Sequence, residues 1–156
     1  MTTPQKLQQW NTFPSLKINH IECNFDNSLL IFATNYGYRI YSTESHLCLS
    51  KVSDVQNIIG PLVKASVFYK SYLICFLGDT SNLIYQRNQL IFWDELNQKK
   101  LGMIILKENI ITFYLTKHII FITIKDNILL FELNTLTFIA KISNALTQSN
   151  FDMISC

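Results

Sequence analysis

Three stretches of the chain follow one plan: "GYRIYSTESHLCLSKVS" at 37–53, "NQLIFWDELNQKKLGMIIL" at 88–106 and "NILLFELNTLTFIAKIS" at 127–143. Each reads as an apolar strand ending in an aromatic and a small polar or acidic residue: Tyr41-Ser42, Trp93-Asp94 and Phe131-Glu132. A polar turn follows, then a second strand of roughly alternating apolar residues. Such a repeat constrains the fold strongly, because each copy must bury its apolar surface against a neighbour. The three aromatics lie 52 and 38 residues apart. The excess falls between Leu77 and Gln89, where the second copy carries "GDTSNLIYQRN" and the third has only "KDN". Without roughly ten of those residues the period is about forty, the length of a WD-type propeller blade.

The rest of the chain fits that reading. "KINHIECNF", "LLIFATN", "YRIYST" and "HLCLSKVS" make a first group of four strands, rich in the β-branched and aromatic residues that strands favour. "GPLVKASVFY", "SYLICFLG", "QLIFWD" and "KLGMIILK" make a second, and "NIITFYLT", "HIIFITIK", "NILLFEL" and "LTFIAKIS" a third. No stretch sustains a helical period. The apolar run at 109–133 suggests a membrane span, but Lys117-His118 and Lys125-Asp126 interrupt it, and charges deep in a bilayer are costly. Three strands at 109–115, 118–124 and 127–132 fit better. The expected class is all-β: about three four-stranded antiparallel blades of an incomplete WD-repeat-like β-propeller. A flexible leader at 1–16, with Pro4 and Pro14 as breakers, precedes a partial propeller at 17–156. Its blades fall at about 17–54, 55–107 and 108–143, with the start of a fourth at 144–156. Propellers have four to eight blades, so three leave faces bare and a strand edge unpaired. Such a chain is a fragment or truncated product, or is completed by a partner.

Composition narrows the chemistry. The net charge is +2, with two arginines, Arg39 and Arg87, and no basic run, so the electrostatic footprint of a nucleic-acid binder is missing. Cys23, Cys48, Cys75 and Cys156 show no CxxC spacing. Three lie in apolar runs where a free cysteine is usually a small buried hydrophobe, and no secretory h-region opens the chain. Both features point to a reducing, cytoplasmic setting. His20, His46 and His118 lack metal-type partners at short spacing. The four glycines, at 37, 60, 78 and 102, are too scattered for a phosphate loop. No nucleophile elbow surrounds any serine. The reading is no enzyme, no metal and no cofactor. Trp93-Asp94 reads as blade structure, an indole between blades and an acid at a turn.

Four stretches resemble the PROPPIN (WIPI-type) propellers. "NFDNSLLIFATNYGYRIYST" matches that family's first-blade pattern through Asn24, Asp26, Gly37, Tyr38, Arg39, Ile40 and Tyr41. "NIIGPLVKASVFYKSYLICFLGD" is similar to its second-blade segment, "NQLIFWDELNQKK" to its Lys-x-x-Ile-Trp-Asp-Asp stretch, and "HIIFITIKDNILLFELNTL" to a later hairpin. The resemblance spans about 17–144 and covers the first three of seven family blades. It implies a non-enzymatic autophagy scaffold that binds phosphatidylinositol 3-phosphate and the 3,5-bisphosphate and recruits a lipid-transfer protein. It places such proteins in the cytoplasm and peripherally on phagophore, endosomal or vacuolar membranes. The lipid motif, Arg-Arg-Gly, belongs to later blades, and no Arg-Arg pair occurs here, so no lipid-binding residue is assigned. Lone lysines do not replace an arginine fork on phosphate. The family's Asn-x-Asp contact to the lipid-transfer partner maps to Asn24 and Asp26, which also suit a tight turn. Independently of the resemblance, Tyr85 and Arg87, on the inserted loop at 78–88, are anchor types for a protein partner. The alternative reading is a protein-interaction module or truncated product without lipid binding.

Overall fold

The computed structural model describes residues 16–45, 47–51 and 59–143. Most of the expected leader, His46 and the expected start of a fourth blade lie outside them. The described residues form twelve strands and no helix, grouped as the sequence suggests. The first sheet is β1 (Ile18–Cys23), β2 (Leu29–Thr34), β3 (Gly37–Ser42) and β4 (Cys48–Lys51). The second is β5 (Leu62–Val67), β6 (Leu73–Gly78), β7 (Gln89–Asp94) and β8 (Lys99–Ile105). The third is β9 (Thr112–Leu115), β10 (Ile119–Ile124), β11 (Asn127–Glu132) and β12 (Phe138–Ser143). In each sheet the strands pair antiparallel with their neighbours in sequence, the meander of a propeller blade. β9 begins at Thr112 and not at 109, because Ile110 donates its N–H to the Arg87 carbonyl at 3.1 Å and so ties the chain to the preceding blade.

The repeated aromatic and polar dipeptide has a structural cause. The polar residue after each aromatic holds the next turn by bonding three residues on. Ser42 Oγ accepts from the Ser45 N–H at 3.2 Å, Asp94 Oδ1 from the Asn97 N–H at 3.1 Å, and Glu132 Oε2 from Thr135 Oγ1 at 2.7 Å. Immediately before each aromatic, the pairing to the fourth strand slips by one residue: at Ile40/Tyr41, Phe92/Trp93 and Leu130/Phe131. The skipped residues, Leu49, Leu101 and Ile139, are exposed. A bulge on an outer strand bends that edge and makes it a poor template for pairing with another chain.

Packing is between sheets. One core joins the first two blades around Ile31, Tyr38, Ile74, Phe76, Ile91 and Trp93. A second joins the second and third around Leu77, Leu90, Phe92, Phe113, Ile120 and Phe131. The middle sheet is thus covered on both faces, and β6 and β7 are almost wholly buried. Trp93 sits against Phe76 with ring centroids 6.2 Å apart, the blade-packing role read from the sequence. Cys75 is buried as expected, but Cys23 is exposed. Cys23 shares the outward face of the first sheet with Leu30, its cross-strand partner. Among the described residues no sheet lies over that face, so burial does not follow from apolar neighbours.

Candidate partner-binding surfaces

The four residues singled out in the sequence divide between opposite ends of the blades. Asn24 and Asp26 lie in the β1–β2 turn, beside the β5–β6 and β7–β8 turns; Tyr85 and Arg87 lie in the β6–β7 loop at the other end. The structure does not bring the two pairs together.

Asn24 is 4% exposed. Its Oδ1 accepts from the Leu29 N–H at 2.9 Å, and its Nδ2 donates to Ser28 Oγ at 3.2 Å and to the Tyr69 carbonyl at 2.9 Å. It therefore closes its own turn and fastens the first blade to the second. Asp26 is exposed; its Oδ1 accepts from the N–H and hydroxyl of Ser28, and its Oδ2 faces Lys70 Nζ at 3.7 Å. Those bonds, the Ser28 hydroxyl first, hold its carboxyl below the ordinary range. Between them Phe25 stands 80% exposed, its ring tilted against that of Tyr69 with centroids 5.1 Å apart. Nearby, a cleft of about 420 Å³ between the first two blades is lined by Leu49, Lys70, Tyr72, Glu95 and Leu96. Glu95, on its lining, accepts from the hydroxyl of the buried Tyr38, and burial pushes its carboxyl up.

At the other end, the inserted loop is built around Asn82, a residue the sequence reading passed over. Asn82 is 5% exposed. Its Nδ2 donates to the carbonyls of Ile59 at 2.7 Å and Pro61 at 2.9 Å, and its Oδ1 accepts the N–H groups of Ile84 and Tyr85, both at 2.9 Å. One amide thus staples the loop to the blade's entry segment. Gly78 lets the loop fold back, since a Cβ there would lie 1.8 Å from the Tyr85 carbonyl oxygen. Tyr85 is half-buried, edge-on to Phe76 at 5.3 Å, so it wedges the loop and is not free at the surface. Leu83 projects from the tip, 98% exposed, beside exposed Ile84. Arg87 is half-buried and spends Nη2 on the Ile111 carbonyl at 3.1 Å; burial lowers its pKa and Asp79 opposes that. Its guanidinium borders a cleft of about 490 Å³ with Lys17, Asn19, Asp79, Asn109 and Ile111. The sequence signal for Leu83 was an aliphatic pair inside a polar insertion, "SNLIYQRN".

The innermost strands carry a polar cluster of a different kind. Lys64, 4% exposed, points its Nζ at Glu22 at 2.9 Å and lies over the Tyr114 ring, 4.1 Å from the centroid. Ser66 Oγ donates to the same carboxylate at 2.7 Å, and His20 Nε2 lies 3.9 Å from it. The cluster ties β1, β5 and β9 together, one strand from each blade. Among the described residues no group of three or more His, Cys, Asp and Glu side chains could hold a metal ion, and no helix is long and apolar enough to cross a membrane.

Three face-packed, four-stranded antiparallel meanders with a repeated bulge and turn define the class: these are blades of a WD40-type β-propeller. Solved structures that share the fold include PROPPIN propellers. Hsv2 of Kluyveromyces marxianus superposes with a TM-score of 0.70 at 18% identity, over 83% of this chain and 40% of that one. KlAtg21, solved in complex with the coiled-coil of AgAtg16, gives 0.64 at 16% identity over 83% of this chain and 40% of that one. The WD40 repeats of RRP9 give 0.62 at 12% identity over 84% and 40%. The likeness is therefore one of fold, and the chain spans about 40% of the length of each of these proteins. No protein-family model matches the chain, and no curated protein does.

Proposed function

We propose that the chain is a non-enzymatic, PROPPIN-like scaffold that docks a protein partner. The observation that carries this reading is the 79–88 loop: a segment stapled by four bonds to one buried amide holds Leu83 wholly in solvent. A rigid presentation of an apolar side chain lowers the ordering cost of binding, and a few residues carry most of an interface's energy. Arg87, with Lys17 and Asn109, edges the cleft at the loop's base, and Tyr85 keeps the loop upright. At the other end, Phe25 and Asp26 form a second contact surface, with Asn24 holding their turn. The resemblance favours the autophagy lipid-transfer protein as partner. The KlAtg21 complex supplies a second candidate, the coiled coil of Atg16. Membrane attachment, on phagophore, endosomal or vacuolar membranes, then comes through that partner. Direct phosphoinositide binding is not part of the proposal, because Arg39 and Arg87, the only arginines, sit on different blades and form no fork.

The test is titration calorimetry of the chain against each candidate partner, with liposome flotation alongside. Binding of one partner is expected, and Leu83→Asp should weaken it about tenfold or more without disturbing the fold. No binding to either, or unchanged affinity in the Leu83→Asp, Arg87→Ala double variant, overturns the assignment. Specific flotation with phosphatidylinositol 3-phosphate overturns its lipid-free part.

A further inference from the structure

The described residues build the junction between blades twice, and the two copies can be compared position by position. In the second sheet the Glu95 N–H donates to the Tyr72 carbonyl, and in the third the Leu133 N–H donates to the His118 carbonyl, both at 2.8 Å. Glu95 and Leu133 therefore hold equivalent places, each one residue past the polar member of the repeated dipeptide. Tyr38 and Leu90 are equivalent too, each the second residue of its blade's third strand. Where the second blade meets the third, Leu90 and Leu133 are both buried in the apolar core. Where the first meets the second, the same two places hold Tyr38 and Glu95, and the tyrosine hydroxyl donates to the carboxylate. The neighbours change in the opposite sense. Exposed His118 and Asn134 adjoin Leu133, whereas exposed Tyr72 and Leu96 adjoin Glu95. One junction thus sets an aliphatic residue among polar neighbours, and the other sets a carboxylate among apolar ones.

We infer that the cleft between the first two blades binds an arginine side chain of a protein partner, carried on a segment with apolar residues beside it. The sister junction shows that blade packing needs no acid at this place, and half-burying a carboxylate costs desolvation that a leucine does not incur. Burial first, and the like charge of Asp94 last, push the Glu95 carboxyl up, while bonds from Tyr38 and Gln98 pull the other way. Both donors are uncharged, so they aim the carboxylate without neutralising it. A guanidinium supplies the opposite charge and a planar fork for the two oxygens. Its aliphatic stem and the apolar residues beside it suit Leu49, Tyr72 and Leu96, all exposed on the cleft lining, and a tyrosine ring offers the cation its π face. Leu49 is the residue skipped where the pairing slips at Ile40/Tyr41, and bulges re-aim side chains in this way. Lys70, also on the lining, has its charge met by Asp26 at 3.7 Å. At about 420 Å³ the cleft has the size of a ligand pocket. The inference deepens the reading of this end as a contact surface, and rests on that reading for the occupant being a protein.

The experiment is NMR titration of the isotope-labelled chain with three blocked peptides that differ only at the centre of Ala-Leu-X-Leu-Ala, where X is arginine, its uncharged analogue citrulline, or glutamate. The arginine peptide should shift the amide signals of Val67, Tyr72 and Leu96 and saturate at about tenfold lower concentration than the citrulline peptide. No shift at the cleft, or equal responses to arginine and citrulline, overturns the proposal. So does a stronger response to glutamate, which would make Lys70 the recognising group. Glu95→Gln keeps an acceptor for Tyr38 and should erase the preference for arginine; a preference that survives the substitution removes Glu95 from the site. A readout that needs no variant is pH, since arginine does not titrate. The Asp26 and Asp94 carboxyls lie below the ordinary range, held there chiefly by bonds from Ser28 and Asn97, whereas burial holds Glu95 above it. Glu95 is thus the first of the three to take a proton as pH falls, and the arginine preference should fade before the two aspartates titrate. A preference that lasts until they do sinks the proposal. Leu83 lies at the other end of the blades, so Leu83→Asp should leave peptide binding unchanged while weakening docking at the loop, and the two proposals fail separately.

Discussion

Lys64 shows how much one side chain is asked to do. It is a buried cation paired with Glu22 at 2.9 Å, with the Tyr114 ring as a second support. An ion pair taken out of water gains little net stability, but removing one member strands the other. Glu22 keeps partial contact with solvent, which tempers the penalty. Lys64→Ala should therefore cost roughly 2–4 kcal/mol, read as a lower urea midpoint. Lys64→Met combined with Glu22→Gln should recover most of it. A Lys64→Ala midpoint equal to the wild type's would show that the cluster holds nothing together. His20, at the edge of this cluster, gives a pH dependence. Burial and then the Lys64 charge lower its pKa from 6.5, while Glu22 pulls the other way. The folded chain thus prefers the neutral ring, and the unfolded chain takes up the proton first as pH falls. The contribution is complete above 6.5 and is lost as pH falls through the lowered folded value. Between about pH 7.5 and 5.5 the wild type should lose stability relative to His20→Gln, in paired denaturation curves. A constant difference between the two curves across that range would remove His20 from the account.

At the level of elements, the strands and their grouping were legible because period and turn chemistry agree in every copy. The aromatic marks the slip to the fourth strand, and the polar residue after it holds the turn, so the recurring dipeptides carried structural information. The inserted loop was legible only as an insertion. Its order comes from Asn82 reaching Ile59 and Pro61, contacts more than twenty residues back along the chain, and no local pattern announces a side chain that bonds so far away. The same limit explains Tyr85 and Cys23: whether an aromatic is an exposed anchor or a wedge, and whether a strand cysteine is buried, depends on what lies across the sheet. Asn82→Ala should cost roughly 2–4 kcal/mol by stripping buried backbone groups of their partners. It should also make the loop a site of rapid limited proteolysis at Leu83-Ile84. If the cleavage rate and thermal midpoint match wild type, the loop is ordered by something else.

Across the whole molecule, the arrangement of blades sets a gradient of stability. Among the described residues the second sheet is packed on both faces, whereas the first and third are each packed on one, and the outer strand β12 is largely exposed. Opening a strand exposes the apolar surface it had buried, at about 25 cal/mol per Å², so local opening is cheapest at the two outer sheets. The double cover of the middle sheet could be foreseen from the order of the repeats, since the second copy lies between the other two. What the sequence could not supply is which residues face which way, because a one-residue shift in register exchanges the faces. Amide hydrogen exchange measured on dilute chain should therefore show β6 and β7 the most protected and β12 the least, with β2 and β10 between them. Equal protection of all three sheets in dilute solution would mean that the outer faces are already covered within one chain. The gradient would then be wrong.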